Sequence, residues 1–277
     1  MRPYEWVLIA YFTYTAVVAQ VLPAVMPVPV VIPLLNLTVI ASLYLLAFAH
    51  SLRGSLLLGI MRDWFVFPLL LLAYREMGWM ARPILSHDLE AQWVVWDRVV
   101  LQGGLKAAVE VLGPVLPGLL EICYVLVYVT GMFGMAMLYA YRRRERAARF
   151  LYVVVPAVLL CYVQFPFWPS EPPRAVFPGE LFPAYDTVFR RFNWWMLAGQ
   201  GIHTSVFPSA HVAGAFGAAF GMWKVLPEHP WVGRFLLVLA VLIATATVYG
   251  RYHYLADAMA GFVVAVVAFA IGGRGKV

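Results

Sequence analysis

Apolar residues in this chain do not form the one-sided stripes of soluble amphipathic helices. They come in solid blocks at about 5–25, 30–50, 63–80, 118–141, 150–167, 206–226, 233–250 and 253–271. A helix needs about 20 residues to cross a hydrocarbon core of about 30 Å. The pattern therefore predicts an all-α integral membrane protein with about eight transmembrane helices. Residues 54–61 are apolar as well, but extending the third block back through them would bury Arg62 and Asp63 in the bilayer. The pattern predicts an interfacial 54–61 segment and a helix that starts near Asp63, a carboxylate suited to a helix N-terminus. Val17-Val18-Ala19 has the look of a leader cleavage site, and the first block is read as a retained helix. The interval 81–117 carries Asp88, Glu90, Trp93, Trp96, Asp97 and Arg98 at helix-like spacing, which predicts a helix lying on the membrane surface. The interval 168–205 holds five prolines, several charges and Gly199-Gln200-Gly201. A loop of that length in a compact protein is more often functional than idle. No internal repeat is evident.

Composition sharpens the class. Hydrophobic residues make up 63% of the 277 and charged ones 12%, against about 45–50% and about 25% in soluble domains. That excludes disorder and any single soluble core. Cys123 and Cys161 lie inside apolar runs, so no disulfide framework is implied. The net charge of +6 matters through its distribution and is not the footprint of a nucleic-acid partner. With eight spans, 12 basic residues and four acids fall on one side, and eight basic and ten acidic residues on the other. The densest basic run, RRRERAAR at 142–149, is expected in the cytoplasm, with both termini on that side. Trp6, Trp64, Trp223 and Trp231 then fall near cytoplasmic ends, and Trp79, Trp168, Trp194 and Trp195 near external ends, as an aromatic belt requires.

Ionisable groups at membrane depth are costly and are functional candidates by default. His211, His253 and Asp257 lie near external helix ends at similar expected depth. His253 and Asp257 are spaced i, i+4, so on a helix they share a face. A carboxylate so placed can accept the Nδ1–H of the imidazole and leave Nε2 basic. A self-satisfied polar pair between helices fits the same spacing. His211 sits in HTSVFPSAHVAGAFGAAFG. Pro208 suits the first turn of a helix, Ser205 or Ser209 can cap it, and its free N–H groups form an anion pocket. The small residues from Gly214 to Gly221 fit close helix packing, and His203 reads as a loop histidine. Arg251 lies two residues before His253, and Arg174 follows a double proline in FWPSEPPRAVFPG. Each alone fits an interfacial snorkelling arginine. Two guanidiniums and a helix start such as Ser209 beside a His–Asp pair instead describe a phosphate site.

FPSAH at 207–211 followed by RYHYLADAMAG at 251–261 resembles the second and third motifs of the type 2 phosphatidic acid phosphatase superfamily. Within it the chain is most similar to the inositol phosphorylceramide synthase-like branch. The shared features are a basic residue close before the last His, the Pro172-Pro173 stretch, and Arg62-Asp63 followed by Pro68. The resemblance covers roughly residues 60–270. It implies a six-helix catalytic core, taken here as residues 54–277, preceded by two N-terminal helices in 1–53. It further implies His253 as a nucleophile that forms a phosphohistidine, Asp257 as its orienting carboxylate, and His211 as proton donor and acceptor. Arg251, Arg174 and Ser209 would hold the phosphoryl group, with no metal and no cofactor. Two departures stand out. The arginine usual six residues before the last His is Thr247 here, and a well-formed K-x6-R-P first motif is missing. Both weigh against a generic phosphatase.

The expected activity is cleavage of a lipid phosphoester at the extracytoplasmic face, with transfer of the phosphorylated head group to a lipid alcohol. The donor is a phospholipid, in sphingolipid or other lipid metabolism, or an isoprenoid phosphate. Hydrolysis of phosphatidate or of an isoprenoid (di)phosphate is the alternative within this class. A lipid transporter would place its site at the midplane between repeats. A metal hydrolase would need three converging ligands from His203, His211, His253 and Asp257.

Overall fold

The computed structural model describes residues 1–22, 28–81, 84, 86–202, 204 and 206–272. Most of the described residues are helical, with no strand among them. The helices are α1 (Pro3–Val21), α2 (Val28–Arg53), α3 (Leu56–Trp64), α4 (Val66–Trp79), α5 (Asp88–Val100), α6 (Lys106–Glu110), α7 (Val115–Ala140), α8 (Ala147–Tyr162), α9 (Pro173–Val176), α10 (Val188–Gln200), α11 (Ala210–Val225), α12 (Pro230–Tyr249) and α13 (Leu255–Gly272). Among the described residues, six stretches are long and apolar enough to cross a membrane: Val28–Arg53, Leu56–Trp79, Val115–Ala140, Arg144–Phe167, Pro230–Tyr249 and Leu255–Gly272. The chain is an integral, multi-pass membrane protein. Two of the eight expected spans are not in that set. Helix α1 has 19 residues and α11 has 16, and at 1.5 Å per residue α11 is about 24 Å long, short of a full hydrocarbon core.

Helix α11 is the axis of the bundle and packs against α7, α8, α12 and α13. Its small residues permit this. Ala213, Ala215, Ala218 and Ala219 are fully buried, and a Cβ on Gly217 would stand 2.8 Å from the Ala157 Cβ of α8. Helices that approach so closely gain dispersion contacts that larger side chains would forbid.

The third apolar block differs from its expected start. Helix begins at Leu56, and only a single turn residue, Phe65, separates α3 from α4. The cause is charge pairing. Arg62 makes a two-pronged bond to Glu5 at 2.8 and 2.6 Å. Asp63 is paired with Arg2, with Arg144 at 2.7 Å, and with the Tyr139 hydroxyl at 2.5 Å. Paired in this way, two ionised side chains can stay inside a helix that unpaired charges would interrupt. The cluster ties α1, α3 and the end of α7 together beside the basic run. At the same end, Arg146 donates to the Val225 carbonyl at the C-terminus of α11 at 2.8 Å. The N-terminus of α11, with His211, is therefore at the opposite end of the bundle.

Candidate active site

Two chain turns meet at that opposite end. Helix α11 starts when the Ser209 hydroxyl accepts the Val212 N–H at 3.4 Å, so Ser209 is the N-cap. Pro208, expected in the first turn, lies one residue before the cap, because the capping bond sets the start after it. His203 and Ser205 lie outside the described residues. In the second turn, Arg251 adopts a left-handed backbone (φ 64°). The N–H groups of Tyr252 and His253 then fold back onto the Thr247 carbonyl at 2.9 and 3.0 Å. His253 consequently sits two residues before α13, where the spacing had put it on the helix with Asp257. The turns are joined directly, since the Ser209 N–H donates to the Asp257 carbonyl at 3.0 Å.

This brings three of the expected residues into line. His253 Nδ1 is 3.3 Å from Asp257 Oδ2, which also accepts the Tyr254 N–H at 2.9 Å. His253 Nε2 is 3.3 Å from His211 Nδ1. His211 Nε2 is 3.4 Å from the Tyr128 hydroxyl. Two aromatic rings back the site, with Tyr124 stacked on His211 at 5.2 Å and Tyr252 on Tyr124 at 4.0 Å. The Tyr252 hydroxyl donates to Glu121 at 2.6 Å, and Glu121 also holds Arg190 and Asn193 at 3.0 and 2.7 Å. Polar side chains in an apolar bundle are thus held in register by one another, with Glu121 as the shared acceptor.

The two arginines have different surroundings. Arg174, in the short helix α9 that Pro172-Pro173 opens, donates its N–H to the Arg251 carbonyl at 3.3 Å and Nη1 to the Tyr252 carbonyl at 3.4 Å. It lines the same cavity as His211 and His253. The Arg251 guanidinium is fully buried away from that lining and paired with Asp97 of α5. Asp97 also accepts the Leu255 N–H at 2.8 Å, so α5 grips the start of α13 through one carboxylate.

The cavity measures about 460 Å³. Its polar end carries His211, His253 and Arg174, and it descends between α4, α7, α8 and α11 past Phe67, Leu70, Gly131, Val154 and Val158. From Tyr124 to Met132 along α7 the lining spans eight residue steps, a descent of about 12 Å. Among the described residues, no group of three His, Cys, Asp or Glu side chains could hold a metal ion.

Residues 101–271 match the family model described as the PAP2 superfamily. The chain belongs to the PAP2 superfamily. That span takes in α6 through α12 and all but the last residue of α13, including both turns of the site. Over 112 residues the chain is also 30% identical to a PA-phosphatase related-family protein of Dictyostelium discoideum, a match that covers 38% of this chain and 20% of that protein. The chain thus spans about a fifth of the curated relative it matches. No solved structure matches it. Members of the PAP2 superfamily are phosphatases or phosphotransferases.

Several site residues carry no motif. Tyr124, Tyr128 and Glu121 share a face of α7 at spacings of three and four. Glu121 is an ionisable group inside an apolar block, and by the rule that picked out His211 and Asp257 it was a signal in its own right.

Proposed function

We propose that this PAP2 protein cleaves a lipid phosphoester through a phosphohistidine on His253 and passes the phosphoryl-bearing head group to a second alcohol. The observation that carries the reading is the line Asp257–His253–His211, spaced at 3.3 Å and 3.3 Å, at the polar end of an apolar cavity that Arg174 also enters. Asp257, accepting from Nδ1–H, leaves the Nε2 lone pair of His253 free for attack. As the new N–P bond forms, the P–O bond to the leaving alcohol breaks, and His211 supplies a proton to that oxygen. In the second step His211 takes the proton from the incoming hydroxyl, whose oxygen bonds phosphorus while the P–N bond breaks. Arg174 and the N–H groups in the first turn of α11, beyond its Ser209 cap, neutralise the equatorial oxygens. Arg251 supports this site from behind, through Asp97. The apolar descent accepts a lipid chain and keeps water from the phosphohistidine, which favours transfer to a lipid alcohol over hydrolysis. Similarity to the inositol phosphorylceramide synthase-like branch supports the same choice.

With eight spans, α1 and α11 included, and the basic run inside, the site faces the extracytoplasmic side. Purified protein incubated with labelled phospholipids and isoprenoid phosphates, with and without lipid alcohols, tests the reaction. A new phospholipid marks transfer, and free phosphate marks hydrolysis. Sidedness is read from Asp186→Cys, an exposed position between α9 and α10, whereas both native cysteines are buried. Labelling of intact cells by an impermeant thiol reagent is expected, and labelling only after lysis would reverse the orientation.

A further inference from the structure

Each imidazole in the site has two nitrogens, and a proton count around them leaves one role unfilled. The Asp257 carboxylate only accepts, so His253 Nδ1 carries a hydrogen and Nε2 a lone pair. His211 Nδ1, 3.3 Å from that lone pair, carries the next hydrogen when the other nitrogen of the ring, Nε2, is held as an acceptor. The group facing Nε2 at 3.4 Å is the Tyr128 hydroxyl. It closes the chain of donors and acceptors without conflict. The Tyr128 ring meets the His211 ring edge-on at 5.7 Å, so the side chain is packed as well as bonded.

We propose that Tyr128 is a positioning residue of this site: its hydroxyl holds Nε2 of His211, so that Nδ1, which faces His253, is the atom that gives and takes the proton. The proposal rests on the phosphohistidine reading above. With one proton taken from solvent as the anionic substrate binds, His211 is an imidazolium. Its Nδ1 proton goes to the leaving oxygen as the P–O bond breaks, and the neutral ring keeps Nε2–H. The Tyr128 oxygen accepts that hydrogen, so the Nδ1 lone pair stays aimed at the phosphorus for the second step. There it recovers a proton from the incoming hydroxyl. A hydroxyl can donate to Nε2 in the resting enzyme and accept from Nε2–H in the intermediate. Phenylalanine can do neither.

Tyr128→Phe keeps the ring and removes the hydroxyl alone. With 15N-histidine-labelled protein in micelles, and the His211 signals identified by their loss in His211→Asn, we expect one His211 tautomer in the wild type. In Tyr128→Phe we expect a mixture. With phosphatidic acid as donor, kcat should fall about tenfold at constant KM, the size of one lost hydrogen bond. With p-nitrophenyl phosphate, whose leaving group needs little protonation, the loss should stay under about threefold. An unchanged tautomer, an unchanged kcat, or equal losses on both substrates would overturn the proposal. The two readings fail separately. Turnover retained in His253→Ala removes the phosphohistidine, whereas an inactive His253→Ala beside a fully active Tyr128→Phe removes only the tyrosine.

Discussion

Asp97 and Arg251 are both fully buried, and between them they fasten α5 to the turn that carries His253. One Asp97 oxygen is paired with Arg251 and the other takes the Leu255 N–H at 2.8 Å. Arg251→Met leaves a buried carboxylate without its cation, a change that costs about 3–5 kcal/mol in buried pairs. In chains of 150–250 residues 1 kcal/mol moves the midpoint by about 2–4 °C, and the shift shrinks with size, so at about 2 °C per kcal/mol a fall of about 6–10 °C is expected here. Asp97→Leu strands the guanidinium and should cost a similar amount, plus about 1 kcal/mol for the lost bond to Leu255. The double variant Arg251→Met with Asp97→Leu removes both charges and should recover most of the loss, which makes the two substitutions strongly non-additive. Thermal unfolding of the four proteins in one detergent measures this cycle. Single variants that melt within about 2 °C of wild type, or a double variant that loses the sum of both, would refute the pairing argument.

Three further outcomes are expected. His253→Ala should abolish turnover, Asp257→Asn should lower it by up to about 10⁴-fold through the wrong imidazole tautomer, and His211→Ala should spare p-nitrophenyl phosphate relative to phosphatidic acid; equal retention by all three removes the mechanism. Gly131→Leu should obstruct the cavity, since even a Cβ there stands 3.1 Å from Phe67 Cε1; kcat/KM for long-chain relative to dioctanoyl donors should fall by about tenfold or more, and an unchanged ratio would place the lipid chain elsewhere. The Glu228 carboxyl is lowered to about 2 by its own N–H and by Arg146 and Arg143, which couples α11 to the basic run. A depressed carboxylate contributes stability that is present above its unfolded value near 4.5 and lost as pH falls toward 2, so Glu228→Gln should flatten the melting-point profile between pH 5 and 2, and an unaltered profile would contradict it.

How much of this could be read from the chain follows from the range of each interaction. Blocks of apolar residues place helices because the bilayer requirement acts on consecutive residues, and α2, α7, α12 and α13 lie where the blocks put them. The start of α3 could not be read that way. Whether Asp63 ends a helix or sits inside one depends on Arg2 and Arg144, 61 and 81 positions away. The convergence of His211 with His253 was accessible because topology alone puts both at one end. The surroundings of Arg251 were not, since Asp97 lies 154 positions away and nothing local marks the two as partners. Tyr128 is a similar case. A tyrosine in an apolar helix is ordinary core or interface material until another helix, here α11, brings an imidazole to its hydroxyl.

The central claim is the covalent bond to His253, and trapping it is the most direct measurement. Purified protein is mixed with phosphatidic acid labelled at phosphorus, quenched in base, digested and sequenced by mass spectrometry. An acid-labile, base-stable phosphoryl or phosphoryl-head-group adduct on His253, absent in His253→Ala, is the predicted result. Turnover with no adduct at His253, or with label on another side chain, would contradict the account.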